Sequence, residues 1–93
     1  MSLFGGSKHE GRKLVESGAL LLDVRTREEF QERHIEGAVN IPVQELATRV
    51  RELGAKERPV VVYCRSGGRS AAAATLMKAS GYQVLDIGGI GNW

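Results

Sequence analysis

Cysteine, proline and aromatic residues are scarce in this chain of 93 residues, which has one Cys, two Pro and 5% aromatics. The single cysteine, Cys64, excludes a disulfide within the chain and leaves no second thiol to resolve an oxidised one. One Cys and two His at separated positions also lack the ligand spacing of a zinc site, so we expect no bound metal. Cys64 is therefore a free thiol, and its role has to be inferred from the residues around it in the sequence.

Neither sign of charge dominates, since 13 Lys and Arg face 11 Asp and Glu and give a net charge of +2. The basic residues are spread along the chain, which argues against nucleic-acid binding. No apolar run approaches transmembrane length, and no charged-then-apolar leader precedes the first element. We therefore expect no membrane association and a cytoplasmic location, where reducing conditions keep the thiol usable.

The composition is that of a globular protein, with 42% apolar and 26% charged residues. This length suffices for one core without disulfides. We expect residues 1–6 to be a flexible N-terminal segment and residues 7–93 to form a single domain.

Strand-like and helix-like segments alternate along the chain. Short apolar runs predict strands, and helical periodicity with caps predicts helices between them. The expected strands are Ala19–Val24, Ala38–Ile41, Val60–Cys64 and Tyr82–Ile87. The expected helices are about Ser7–Glu16 (N-cap Ser7 with Glu10), Thr26–Arg33 (capping box Thr26 with Glu29), Val43–Leu53 and about Ser70–Ser80. This order predicts a parallel α/β sheet with right-handed crossovers and helices on both faces.

Apolar residues at helical spacing are assigned to the core rather than to a binding stripe. In the third helix these residues are Val43, Leu46, Ala47, Val50 and Leu53. In the fourth helix they are Leu76 and Met77.

The segment that follows Cys64 carries the chemistry. The third strand ends at Cys64, and two glycines and two arginines (Arg65–Arg69) precede a helix. A strand that runs through a glycine loop into a helix aims main-chain N–H groups at one point, which favours an anion or a thiolate. We therefore expect the pKa of Cys64 to lie below the free value of about 8.5. The alternative is a buried structural cysteine.

Four motifs in order resemble the rhodanese family of single-domain sulfurtransferases, over nearly the whole chain from Ala19 to Trp93. They are Asp23-Val24-Arg25, Glu29-Phe30 with His34–Pro42, the loop Cys64–Ser70, and Gly88-Gly89 with Trp93. The resemblance implies a rhodanese-like α/β fold with a five-stranded, mostly parallel sheet. It also implies that Cys64 carries sulfane sulfur as a persulfide.

Two details refine this resemblance. Arg33 stands where the family pattern usually has glycine before His34 and Ile35. Four residues separate Cys64 from Arg69, whereas relatives that handle phosphate or arsenate have one more. The shorter loop, together with the absence of a second cysteine, argues against a phosphatase or an arsenate reductase.

Within the resemblance, Cys64 is the catalytic nucleophile and the loop after it binds substrate. We expect Arg69 to hold the oxyanion of the donor, with helix-start packing or a salt bridge to Asp23 as alternatives. Arg65 is expected to be an exposed charge at the rim that attracts anions, and direct contact with the substrate is equally open. The hydroxyls of Ser66 and Ser70 are candidates to donate to the persulfide, and Ser70 is equally a candidate N-cap. The substrate-binding residues are thus Arg65, Ser66, Gly67, Gly68, Arg69 and Ser70.

Other residues are expected to support this loop. Asp23 and Arg25 end the first strand at the same rim and brace the loops. His34 supports a turn rather than acting as a base. Trp93 and the glycines before it cover one side of the pocket.

The expected activity is transfer of sulfur from a small donor such as thiosulfate to cyanide or a thiol through a Cys64 persulfide, without a metal or organic cofactor. A protein sulfur acceptor is also open, and we expect a monomer or weak dimer. The rival from another class is a sulfur-carrying or regulatory domain that serves one protein partner without turnover. A redox sensor is a further alternative, because a low-pKa thiolate oxidises readily.

Overall fold

The computed structural model describes residues 8–93, and the side chains from residue 10 onward. The strands are β1 (Leu20–Asp23), β2 (Val39–Asn40), β3 (Val60–Cys64) and β4 (Val84–Gly89). The α-helices are α1 (Lys8–Glu16), α2 (Arg27–Glu32), α3 (Val43–Arg49) and α4 (Gly68–Ala79), and 3₁₀ turns span Val50–Leu53 and Ile90–Asn92. The expected flexible segment 1–6 and the N-cap Ser7 lie outside the described residues.

The strands form one parallel sheet in the order β2-β1-β3-β4. The expectation of five strands is therefore wrong for residues 8–93, which contain four. The reason is visible in the sequence, because the chain within this range has only four short apolar runs bounded by turns. The α/β class and the parallel arrangement are confirmed. None of the helices formed by these residues is long and apolar enough to cross a bilayer.

Both faces of the sheet are buried, which explains why β1 and β3 read as continuous apolar runs. Alternate residues of these strands point to opposite sides. One core lies between the sheet and the α3 and α4 side, and includes Leu22, Val62, Cys64, Leu46 and Met77. The second core lies on the α1 side, and includes Leu21, Val61, Tyr63, Leu14 and Trp93.

The third predicted helix is shorter than expected. The α-helix ends at Arg49 and continues as a 3₁₀ turn through Leu53, and Gly54 closes it with a φ of 84°. Leu46 and Leu53 are buried as predicted, but Ala47 is exposed. The prediction for Ala47 is wrong because α3 buries a narrow stripe, and a residue at its edge remains in solvent.

Strand β4 begins two residues later than predicted, because Gly81, with a φ of 97°, and Tyr82 still belong to the turn after α4. A bulge lies opposite Val62 and Tyr63, so that Tyr63 pairs with Gly88 and Cys64 pairs with Gly89. Gly88 and Gly89 thus belong to β4 and lie directly beside the end of β3.

The two tyrosines of the chain provide a test of this packing. The Tyr63 side chain is fully buried, and its hydroxyl oxygen accepts a hydrogen bond of 3.1 Å from the Ile35 N–H. The Tyr82 hydroxyl donates to the Gly54 carbonyl at 2.6 Å, where Gly54 is exposed to water. Tyr63→Phe leaves a buried N–H without a partner, so it is expected to lower the free energy of unfolding by about 1–3 kcal/mol.

Tyr82→Phe is the matched control, because water can replace the lost donor at Gly54. It is expected to cost less, about 0.5–1 kcal/mol. Urea unfolding of both variants measures the difference. Equal losses, or a smaller loss for Tyr63→Phe, would contradict the assignment of this hydroxyl as the partner of Ile35.

Candidate active site

Strands β1 and β3 are neighbours at the centre of the sheet, with β2 on the far side of β1 and β4 on the far side of β3. The direction in which successive strands are placed therefore reverses between β1 and β3. In open parallel sheets, the crevice outside the carboxyl ends of the strands at such a point is the usual place for a ligand. Cys64 is the last residue of β3, and Asp23 pairs with Tyr63 one position before it. The topology therefore brings Cys64 and Asp23 to one rim, as the sequence predicted.

The chain after Cys64 turns back on the thiol. The Gly67 N–H donates to Cys64 Sγ at 3.0 Å, and Ser70 Oγ lies 3.5 Å from the same sulfur. Cys64 is 1% exposed and Ser70 is fully buried. The sulfur thus faces main-chain N–H groups, although it is also as buried as a structural cysteine would be.

Two opposing effects set the pKa of Cys64. Burial raises it, whereas hydrogen bonds from the Ser70 hydroxyl and from the main-chain N–H groups of Ser70, Gly67 and Ser66 lower it. The hydrogen bonds outweigh burial, so the pKa of the thiol lies below its ordinary value. This direction agrees with the prediction from the loop sequence.

Helix α4 begins at Gly68, two residues earlier than predicted, and its N-cap is Gly67 with a φ of 113°. This left-handed conformation favours glycine, and it lets the Gly67 N–H face the sulfur. The alternative of Ser70 as N-cap is therefore wrong. Ser70 lies inside the first turn, where its hydroxyl oxygen is 3.1 Å from the Gly67 carbonyl oxygen and 3.5 Å from Cys64 Sγ, so its one proton is donated to one or the other.

A second glycine position determines how closely β4 approaches the loop. A Cβ added to Gly89 would lie 2.7 Å from the Arg65 carbonyl oxygen and 3.6 Å from the Ser66 Cα. Only a residue without a side chain fits there, because the nearest atoms belong to main chain. Gly89 thus borders the loop, whereas the expectation that these glycines cover one side of the pocket stays a prediction.

Arg69 forms its salt bridge with Glu29 rather than with Asp23. Nη1 lies 2.7 Å from Oε1 and Nη2 lies 3.1 Å from Oε2. The planar fork that we expected to face donor oxygens already faces a carboxylate, so a role for Arg69 in donor binding stays a prediction. The predicted capping box is also confirmed, since Glu29 Oε1 accepts from the Thr26 N–H.

Glu29 was not predicted as a site residue. It joins the start of α2 to the start of α4, and the hydrogen bonds from Arg69 and from the Thr26 main chain lower the pKa of its carboxyl to about 2. The sequence signal was its place in the capping box, which reveals a helix start but not a partner on another helix.

Asp23 and Arg25 form a buried ion pair at the end of β1. The guanidinium contacts both carboxylate oxygens, with the shortest distance of 2.7 Å between Nη2 and Oδ2. Arg25 also donates to the Arg33 carbonyl, and the Asn40 amide donates to the main chain of both Asp23 and Arg25. These contacts link β1, β2 and the end of α2, as a bracing role requires.

Arg65 is exposed and borders a cavity of about 230 Å³. The cavity adjoins the loop, because two of its lining residues belong to or contact that loop. Arg65 directly follows Cys64, and Glu29 forms the salt bridge with Arg69. Its lining consists of Arg25, Glu29, Glu32, Arg33, Arg65 and Ile90.

Two further predicted residues lie away from this cavity lining. His34 is exposed, and its ring stacks on Phe30 with 3.7 Å between ring centroids, while Nδ1 lies 2.7 Å from the Phe30 carbonyl oxygen. Trp93 packs in the second core, 5.0 Å from the guanidinium of Arg12. Trp93 therefore supports the α1 side and is not among the residues that line this cavity. No group of metal-ligating side chains is present in the described part of the chain.

Comparison with known families decides the membership of the chain. The family model described as "Rhodanese-like domain" matches residues 7–93. The chain belongs to the rhodanese family. The resemblance read from four short motifs is thereby confirmed.

Relatives of this rhodanese domain include sulfurtransferases. It is 41% identical to a sulfurtransferase of Allochromatium vinosum over 76 residues, and this alignment covers 80% of this chain and 70% of that protein. It is 37% identical over 71 residues to the thiosulfate sulfurtransferase PspE of Escherichia coli, which covers 74% and 68% respectively. The human single-domain sulfurtransferase TSTD1 superposes with a TM-score of 0.77 at 32% identity, over 99% of this chain and 93% of that one.

Other relatives are much longer proteins. The chain is 56% identical over 45 residues to an HTH-type transcriptional regulator, Rv0324, of Mycobacterium tuberculosis, which covers 48% of this chain. It spans only 20% of the length of that regulator and of one further curated relative. Segments similar to this chain therefore occur within longer proteins.

The close approach of β4 to the loop can be tested with two glycines. Gly89 has a φ of −80°, which alanine tolerates, so Gly89→Ala fails only for lack of space beside the Arg65 carbonyl. We expect it to lower the free energy of unfolding by about 1–3 kcal/mol. Because the loop is displaced, we also expect slower alkylation of Cys64 at neutral pH.

Gly91→Ala is the control, since in the described part of the chain no atom of another element lies within 4 Å of its added Cβ. It should leave both the stability and the alkylation rate near those of the parent protein. Identical behaviour of the two variants would show that the loop does not depend on contact with β4.

Proposed function

We propose that this rhodanese domain is a sulfurtransferase that moves sulfane sulfur from a donor such as thiosulfate to cyanide or a thiol through a persulfide on Cys64. The observation that carries the proposal is the hydrogen bond of 3.0 Å from the Gly67 N–H to the only thiol of the chain. It shows a main-chain donor pointing at the sulfur at which charge must reside.

In the first half-reaction, the Cys64 thiolate attacks the outer sulfur of thiosulfate. The S–S bond of the donor breaks, and sulfite leaves with the electron pair. The product is Cys64–S–S⁻, so one anionic sulfur replaces another and the charge balances. No proton has to be removed during this step if the thiol is already ionised, which explains why no general base is required.

The loop supplies the electrostatic part of the reaction. The N–H groups of Ser66, Gly67 and Ser70 that stabilise the thiolate would also stabilise the terminal sulfur anion of the persulfide. The Ser70 hydroxyl, fully buried beside Sγ, is the side-chain donor best placed to help. Ser66 and Gly68 are exposed, and we assign them to the substrate-facing side of the loop.

The two loop arginines have different roles in this proposal. Arg65 is exposed and attracts anionic donors. Arg69, held by Glu29, contributes positive charge near the sulfur, and its contact with donor oxygens requires that it share or leave this partner. Asp23 and Arg25 keep the rim in place through their ion pair, and Arg25 is also part of the cavity lining.

In the second half-reaction, an acceptor takes the outer sulfur and returns Cys64 to the thiolate. The cycle uses no metal and no organic cofactor. We further propose that the domain acts as a monomer or weak dimer in the cytoplasm, with a protein thiol as an additional class of acceptor.

The second candidate is a sulfur-carrying or regulatory domain without turnover. It is favoured by a similarity to the "Putative sulfur carrier protein YrkF" of Bacillus subtilis, which is 37% identical over 75 residues that make up 78% of this chain and 40% of that protein. A carrier would form the same persulfide but release it only to a dedicated partner. The two functions therefore differ in the second half-reaction and not in the first.

Intact mass measures the first half-reaction directly. After treatment with thiosulfate and removal of excess donor, the protein is expected to gain the mass of one sulfur atom and to lose it on addition of cyanide. Cys64→Ala should gain nothing, and since Cys64 is the only cysteine the assignment is unambiguous. Retention of transfer by Cys64→Ala would end the proposal.

Steady-state formation of thiocyanate from thiosulfate and cyanide separates the two candidates. Repeated turnover supports the enzyme. A persulfide that forms and persists in the presence of excess cyanide or small thiols would favour the carrier.

A further inference from the structure

The cavity beside the loop has an uneven distribution of charge. Two of its five charged lining residues are already paired, Arg25 with Asp23 and Glu29 with Arg69. Within residues 10–93, no salt bridge involves the remaining three, which are Arg33, Arg65 and Glu32. The unpaired charge facing the cavity is therefore two guanidinium groups and one carboxylate.

The main chain of Arg33 is held in place where this residue lines the cavity. It caps the end of α2, where its N–H donates to the Glu29 carbonyl at 3.1 Å, and its own carbonyl accepts from the buried Arg25. The side chain itself is exposed.

On the basis of the proposed function, we propose that Arg33, together with Arg65, makes this domain selective for small thiol acceptors that carry a carboxylate. A cavity of about 230 Å³ is below the usual volume for drug-sized ligands, so it fits a small molecule. A guanidinium binds a carboxylate through a planar pair of donors. Arg33 then positions the acceptor, and the loop presents the sulfur.

The chemical step is the second half-reaction. The acceptor thiol loses its proton to solvent, and its sulfur attacks the outer sulfur of Cys64–S–S⁻. The bond to Cys64 Sγ breaks, a bond to the acceptor sulfur forms, and the electron pair returns to Cys64 as a thiolate. Since attacking thiolate, persulfide and carboxylate are all anionic, a positive rim lowers the repulsion between them.

The first test compares acceptors of different charge with protein already loaded with sulfur. Excess thiosulfate is removed, and the second-order rate of sulfur loss is measured with mercaptoacetate, mercaptoethanol and cysteamine. Arg33→Gln keeps the main-chain contacts and removes the charge. It is expected to slow mercaptoacetate about two- to fivefold, the range of an exposed ion pair, and to leave mercaptoethanol unchanged. Comparing each thiol with itself removes differences in intrinsic reactivity.

Two variants serve as controls. Arg51→Gln makes the same change in net charge at an exposed residue outside the cavity lining, and should leave the preference unchanged. Glu32→Gln removes the opposite charge from the cavity, and should speed mercaptoacetate or leave it unaltered. The effect of Arg33→Gln should also shrink as salt is added.

A second test does not depend on sulfur transfer. Iodoacetate and iodoacetamide alkylate the same free thiol and differ mainly in charge, so the ratio of their rates reports the field at the cavity. Arg33→Gln should lower this ratio, and Arg51→Gln should not. An unchanged ratio together with equal effects on all three thiols would overturn the role of Arg33 while leaving the sulfurtransferase proposal intact. Failure of the parent protein to accept sulfur would overturn both.

Discussion

The contact between main-chain N–H groups and the Cys64 sulfur is the constraint on which the site depends. A thiol that is 1% exposed would normally remain protonated, because burial disfavours the charged form. Here hydrogen bonds from the loop, including one of 3.0 Å from the Gly67 N–H, outweigh burial and lower the pKa of the thiol. In the proposed cycle the same groups that stabilise the thiolate would also stabilise a persulfide, so a single piece of backbone would serve both states.

Residues in and around this loop hold it in position. Gly67 adopts a left-handed conformation to aim its N–H, and Gly89 allows β4 to lie against the Arg65 carbonyl. Glu29 holds Arg69 at the start of α4 and also caps α2, so one carboxylate fixes the relative position of two helix starts. The buried pair of Asp23 and Arg25 holds the rim at the end of β1.

Local features of this arrangement were predictable from the sequence. A strand, a glycine loop and a helix are adjacent in the chain, so the position of Cys64 and the direction of its pKa followed from the neighbouring residues. The capping box of Thr26 and Glu29 was likewise a local pattern. The pairing of Glu29 with Arg69 was not, because it joins residues 40 positions apart through tertiary packing. The lack of space for a side chain at Gly89 and the exposure of Ala47 also depend on residues that are close in space but distant in the sequence, so they were not predictable either. The expected number of strands, five, came from the family resemblance alone, and residues 8–93 form only four.

The most direct test of the account is the pKa of Cys64 in the folded protein and in urea, followed by the ultraviolet absorbance of the thiolate, with Cys64→Ala as the blank. Because the chain has only one cysteine, the titration reports a single group. The folded midpoint is expected to lie below that of the unfolded chain, which should be near the free value of about 8.5. A folded midpoint equal to or above the unfolded one would mean that burial outweighs the loop, and would contradict the central claim.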